Sequence, residues 1–290
     1  MNRYVLPFPV LPGKDARVLS NELQRRPSEW AESRRNQGVS MERVYLQTTP
    51  MGQFVVAYLE TTSTFPEANA VLAQSTLDID KFFIEKVREI NGVDVTAPPP
   101  DGPPPETVGA WFDSDVRERR RGLAFTAPLI PGKEDQGRAF IQDAFSRPEM
   151  NVSRRALGNN AEVVTVVYTP QGPVSAVYVE GNDPAEANRR FAASTLPFDV
   201  WFKDGLRKLF PPFIDFNQPC RASRRSSTRR RSGPGPDAAS RAAAAHFQYQ
   251  FSGLMSPSGS CGCVPCRCLS IIDSCRYCVG NQMTGSCLAR

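Results

Sequence analysis

The chain has 290 residues, 40% hydrophobic and 22% charged, with a formal net charge of +5, a composition and length typical of a globular protein of about two domains. All eight cysteines and the single histidine, His246, lie after residue 219, where ten arginines face two aspartates, so residues 1–218 are net acidic and contain neither His nor Cys. That body therefore excludes Ser-His-Asp and Cys-His nucleophile pairs, thiolate or imidazole zinc sites and a His- or Cys-ligated haem, and leaves Asp, Glu, Lys and Tyr for acid–base work.

Met1-Asn2-Arg3-Tyr4 runs straight into a strand-like segment, without the charged-then-apolar leader of a secretory signal. No run of 18 apolar residues follows, and the two observations predict a cytoplasmic protein with no membrane partner. The apolar run Tyr4–Leu11 predicts a strand, closed by the turn Pro12-Gly13. Asp15 stands where a helix would start, and Val18, Leu19 and Leu23 follow at helical spacing. Pro27 breaks or kinks that helix, and a second short helix carries Arg34-Arg35 before Gly38. Arg43–Thr49 and Gln53–Glu60 read as a hairpin with a three-residue loop, Pro50-Met51-Gly52. That loop predicts one face of Val44, Leu46, Phe54, Val56 and Tyr58 and another of Tyr45, Gln47, Val55, Ala57 and Leu59. Helices over 67–74 and 81–90 follow, with Asp80 expected as an N-cap. A proline-rich connector, Pro98–Pro105, then leads to a possible last strand, Thr107–Phe112.

The whole arrangement then recurs. Pro9-Val10-Leu11-Pro12-Gly13-Lys14 returns as Pro128-Leu129-Ile130-Pro131-Gly132-Lys133, Ser33-Arg34-Arg35 as Ser153-Arg154-Arg155, and Thr49-Pro50-x-Gly52 as Thr169-Pro170-x-Gly172. Tyr58-x-Glu60 returns as Tyr178-x-Glu180, Glu67-Ala68-Asn69 as Glu186-Ala187-Asn188, and Ser75-Thr76-Leu77-x-x-Asp80 as Ser194-Thr195-Leu196-x-x-Asp199. A period this long implies two units that each own a core. The expected division is unit 1 over 1–97, a Pro-rich linker with the possible last strand over 98–121, unit 2 over 122–219, and a low-complexity, disordered tail over 220–290.

The order strand–helix–strand–strand–helix–strand is the ferredoxin-like one. With both hairpin faces apolar and the unit duplicated, residues 1–112 and 122–218 resemble the dimeric α/β-barrel superfamily. The motifs quoted above are similar to an uncharacterised bacterial group within it. The resemblance implies an α+β fold in which two tandem ferredoxin-like units pack sheet to sheet as an intrachain pseudo-dimeric barrel, a monomer that supplies both halves. It also implies a small-molecule binder or a cofactor-independent oxygenase or isomerase acting on an apolar or phenolic substrate. The alternative is a non-catalytic scaffold whose interface is filled by side chains. Fold likeness alone does not choose between them.

Tyr58, Glu60, Tyr178 and Glu180 are the candidate catalytic residues, because a Tyr with a carboxylate two residues on can move a proton in an apolar cavity. The structural alternative is a core tyrosine before a strand-end glutamate. Tyr45, Gln47, Thr165 and Ser175 interrupt the other face and would line a cavity between the sheets. Asn69 and Asn188 are poor helix formers placed in helices, which points to an inward hydrogen bond or a ligand contact. Arg34 and Arg154 are candidate anion contacts or, more plainly, helix-end arginines. No cofactor and no metal ligand is expected.

In the tail, Cys261-x-Cys263-x2-Cys266-x-Cys268-x6-Cys275-x2-Cys278 has zinc-like spacing and Arg224-Arg225 and Arg229-Arg230-Arg231 are basic. The abrupt change of composition at one point of the repeat predicts a coding accident there, so nucleic acid enters only through this segment.

Overall fold

The computed structural model describes residues 1–49, 51–98 and 102–218, together with the backbone of three short strands in the C-terminal stretch. In the first half the elements are β1 (Asn2–Val10), α1 (Arg17–Arg25), α2 (Pro27–Asn36), β2 (Val39–Thr49), β3 (Gly52–Thr61), α3 (Phe65–Ala73), α4 (Asp78–Asn91) and β4 (Glu106–Phe112). The second half repeats them as β5 (Arg121–Pro128), α5 (Glu134–Ser146), α6 (Pro148–Leu157), β6 (Asn159–Thr169), β7 (Gly172–Gly181), α7 (Pro184–Ala193) and α8 (Pro197–Leu206). The remaining strands are β8 (Arg221–Ala222), β9 (Tyr249–Gln250) and β10 (Arg267–Ile272). Among the described residues no helix is long and apolar enough to cross a membrane.

Local chemistry sets the boundaries. Asp15 Oδ1 accepts the Arg17 amide at 2.9 Å beside the start of α1, where a carboxylate is favoured by the helix dipole. Pro27 and Pro148 open α2 and α6 at the first turn, where a missing N–H costs nothing. Asp80 and Asp199 do not cap, contrary to expectation: each lies inside its helix and is buried. Asp80 accepts the hydroxyls of Ser33 and Ser75, and Asp199 those of Ser153 and Ser194. These bonds tie the second helix of each unit to the fourth.

Both hairpins correct the expected register. Thr49 pairs with Gly52 and Thr169 with Gly172, so each loop holds two residues rather than three. Tyr45 then stands opposite Val56, and Leu46 opposite Val55. Because side chains alternate along a strand, this one-residue slip exchanges the faces of one strand relative to its neighbour. Tyr45, Val56 and Tyr58 share one buried cluster, whereas Leu46 and Val55 pack on Ala16 and Ile90 under the helices.

The strands form two four-stranded antiparallel sheets, in the orders β1-β3-β2-β10 and β4-β6-β7-β5. They face one another through Val5, Tyr45, Val56 and Tyr58 from one half and Ala124, Val163, Ala176 and Tyr178 from the other. The outer faces are covered by helices. The fold is thus α+β, two ferredoxin-like units packed sheet to sheet within one chain. The candidate last strand of the first repeat lies elsewhere than a single repeat would place it: β4 runs along β6, in the sheet of the second. Its pairing breaks register between Thr107 and Gly109, opposite Thr165 and Val164. β10 breaks register between Ser270 and Ile272 along β2, opposite Tyr45 and Val44, the repeat counterparts of those two residues. The expectations of a disordered tail, a coding accident, a Cys-rich metal motif and basic runs otherwise fall outside the described residues.

The free edges of the barrel are sewn by side chains. The Val5 amide donates to Thr165 Oγ1 at 2.9 Å, and Thr107 Oγ1 donates to the Arg3 carbonyl. On the opposite seam the Gln47 amide meets the β5 edge twice: Nε2 donates to the Thr126 carbonyl at 2.9 Å and Oε1 accepts the Thr126 N–H at 2.7 Å. Edge groups that would otherwise invite another strand are thereby occupied.

Candidate functional site

The sheet interface is filled where a central cavity was expected. The rings of Tyr58 and Tyr178 stack at 3.7 Å with planes 2° apart, and Tyr45 lies 6.4 Å from Tyr178. Tyr58 Oη donates to Glu60 Oε1 at 2.5 Å and Tyr178 Oη to Glu180 Oε2 at 2.6 Å. Arg119, from the connector, bonds both glutamates. Arg3 adds to Glu60 at 3.4 Å, and Arg43 adds to Glu180 at 3.2 Å. Asn160 Nδ2 and the Arg120 amide complete the Glu180 shell at 3.2 and 2.8 Å. Burial pushes the Tyr58 phenol up to about 12, and pushes Tyr178 well above its ordinary value. The four candidate catalytic residues are therefore brought together, in a buried lattice whose acceptors are already engaged.

A cavity of about 190 Å³ opens instead between the β4-β6-β7-β5 sheet and its own helices. Val164, Val166 and Val177 form its floor, Ile141, Phe202 and Leu206 its roof, and the wall is overwhelmingly apolar. The corrected register places Val177 on the same side as Val164 and turns Ser175 to this side as well, opposite Val166. Ser175, Arg154 and Asn188 all line the cavity. Gly137 of α5 contributes a stretch of roof without a side chain, and a Cβ there would come no closer than 3.9 Å to Leu209.

One end of the cavity is polar. Arg154 is 2% exposed, and its Nε lies 2.5 Å from Glu162 Oε2 while Nη1 lies 3.6 Å from Asp199 Oδ1. Its Nη1 also donates to Ser153 Oγ at 3.0 Å. Two carboxylates thus hold one guanidinium, which fits the rule that a buried charge needs partners. Lys203 is buried beside them, donates to the Ala192 and Ser194 carbonyls at 3.1 and 2.9 Å, and is pulled below its ordinary pKa by that burial. Asn159 lines the cavity with its Oδ1 buried and without a hydrogen-bond partner among the described residues.

The other candidates are scattered. Arg34, the repeat counterpart of Arg154, bonds Glu42 at 2.9 Å and Gln37 at 2.6 Å, and lies 3.6 Å over the Trp30 ring. Asn69 is half-buried on α3 and does not line the cavity. Tyr45 and Thr165 belong to the sheet interface, and Gln47 reaches both the seam and the cavity rim. Glu162 and Asn159 had no signal in the sequence beyond being polar residues on a strand otherwise rich in valine. Among the described residues no group of three His, Cys, Asp or Glu side chains is placed to hold a metal ion.

No protein-family model matches the chain, and no curated protein matches it. Among solved structures it is similar to an anthrone oxidase-like protein, at 10% identity and a TM-score of 0.43, over 72% of this chain and 86% of that one. It is also similar to a candidate monooxygenase from Fusobacterium nucleatum subsp. nucleatum, at 10% identity and a TM-score of 0.38, over 72% and 87% of the two chains.

Proposed function

We propose that the protein binds one small, largely apolar molecule between the second unit's sheet and helices, with the ligand's polar group turned toward Arg154, Asn159 and Asn188. The cavity carries this reading: apolar walls with a few convergent polar groups at one end are the usual form of a small-molecule site. Arg154 faces two carboxylates, so the polar end offers little net positive charge to an anion. Asn159 Oδ1 is an acceptor in want of a donor, and leaving it so is costly in a buried place. A neutral ligand with a hydroxyl, such as a phenol, suits both facts. Where turnover occurs, Glu162 on the cavity wall is the base we assign to the phenolic proton. The filled sheet interface, with Tyr58, Glu60, Tyr178 and Glu180, supports the scaffold reading for that face alone. We read the chain as a monomer, since each sheet's inner face is already covered by its sibling.

The test uses the full chain and 2-naphthol, whose fluorescence reports its environment. Wild type should bind it with one site per chain. Gly137→Leu should abolish binding while keeping the fold, because leucine is a better helix former than glycine and would occupy the cavity. Unchanged 2-naphthol fluorescence with wild type, or equal binding by Gly137→Leu, overturns the reading.

A further inference from the structure

We infer that the second unit's ligand site is completed by the first unit, whose β2–β3 hairpin forms the outer wall of the cavity and helps to select what enters. This rests on the binding reading above and deepens it. Gln47, Thr49, Met51 and Phe54 line the cavity, although all four belong to the other half of the chain.

Comparison of the two hairpins supports a dedicated role. They share Thr-Pro-x-Gly and the same pairing, Thr49 with Gly52 and Thr169 with Gly172. They differ at three of the four positions that reach the cavity. Gln47 corresponds to Val167, Met51 to Gln171 and Phe54 to Val174. The Gln47 amide pins its hairpin to Thr126 on the β5 edge, beside the rim, with two hydrogen bonds that valine cannot make. Met51 is 59% exposed, an unusual place for a large apolar side chain, whereas Gln171 is the ordinary polar residue of a hairpin tip. An unbranched thioether at a cavity mouth adapts to the shape of an apolar guest. Phe54 adds an aromatic ring where its counterpart has a small aliphatic. All three of these residues of the β2–β3 hairpin line the cavity, whereas of their counterparts only Val174 does.

The repeat supplies its own control. Met51→Asp places a charge at the rim on a side chain the fold does not need, and should weaken 2-naphthol binding by the full chain at least about fivefold, by removing apolar contact and adding a desolvation cost. Gln171→Asp makes the same charge at the equivalent tip, outside the cavity lining, and should leave the dissociation constant unchanged. Equal effects of the two substitutions, or no effect of Met51→Asp on a wild-type chain that binds, overturn the hairpin's role and leave the binding reading standing. A wild-type chain that does not bind the probe removes both.

Discussion

Tyr58 and Tyr178, one repeat apart in sequence, meet ring to ring between the two sheets, and each phenol donates a hydrogen bond to the glutamate two residues further along its own strand. Both side chains are fully buried, and both belong to the cluster that joins the two sheets.

That pair makes stability sensitive to alkali. Burial raises Tyr58 to about 12 in the folded chain, against about 10 for a free phenol. Between those values the folded state keeps a proton that the unfolded state has lost. The contribution is therefore fully present below pH 10 and is lost as the pH climbs toward 12. The urea midpoint should fall over that interval, and Tyr58→Phe, which has no phenolic proton, should show a smaller fall.

Arg119 joins Glu60 of one half to Glu180 of the other. Removing it in Arg119→Met leaves two poorly hydrated carboxylates short of a cation, and should cost about 2–4 kcal/mol by urea unfolding. Adding Glu60→Gln to that variant should restore part of the loss, which separates the charge effect from simple loss of packing.

Gly122 passes so close to the interface that a Cβ would fall 2.4 Å from Tyr45 Oη and 2.5 Å from Tyr178 Cε2. Gly122→Ala must displace both rings and should destabilise by about 1–3 kcal/mol, read as a lower melting temperature.

Gly137 presents the opposite case, a helical glycine where a Cβ would meet only Leu209, at an ordinary contact distance of 3.9 Å. Gly137→Ala should stabilise by about 0.5–1 kcal/mol through helix propensity, and calorimetry should record a higher melting temperature.

The repeat made much of this architecture legible. Two copies with apolar hairpin faces required a second cover for each sheet, and the packing of Val5, Tyr45 and Val56 against Ala124, Val163 and Ala176 supplies it. The hairpin register is not set by Pro-x-Gly alone but by the threonine before it. Thr49 Oγ1 accepts the Met51 amide and donates to the Gly52 carbonyl, and Thr169 does the same work with Gln171 and Gly172, so the hydroxyl closes a shorter turn. The cavity escaped for a related reason. Once the register moves by one, Ser175 and Val177 join Val164 and Val166 on the side that faces the helices, while Val163 stays toward the sibling sheet. The place of β4 was not readable either, since an apolar strand carries no mark of which sheet it joins.

The displaced β4 separates the unit of sequence from the unit of mechanics. The repeating stretch and the stretch that holds together as a sheet differ by one strand, because Glu106–Phe112 precedes the second repeat yet is hydrogen-bonded into its sheet. Cutting the polypeptide at the seam between copies, just ahead of Arg121, would strip the later half of its border strand. Cutting within the proline-rich connector would deliver that half with all four strands of its sheet. Recombination that shuffles such halves is thus constrained by backbone pairing, and the viable crossover lies upstream of the point where the repeat itself begins again.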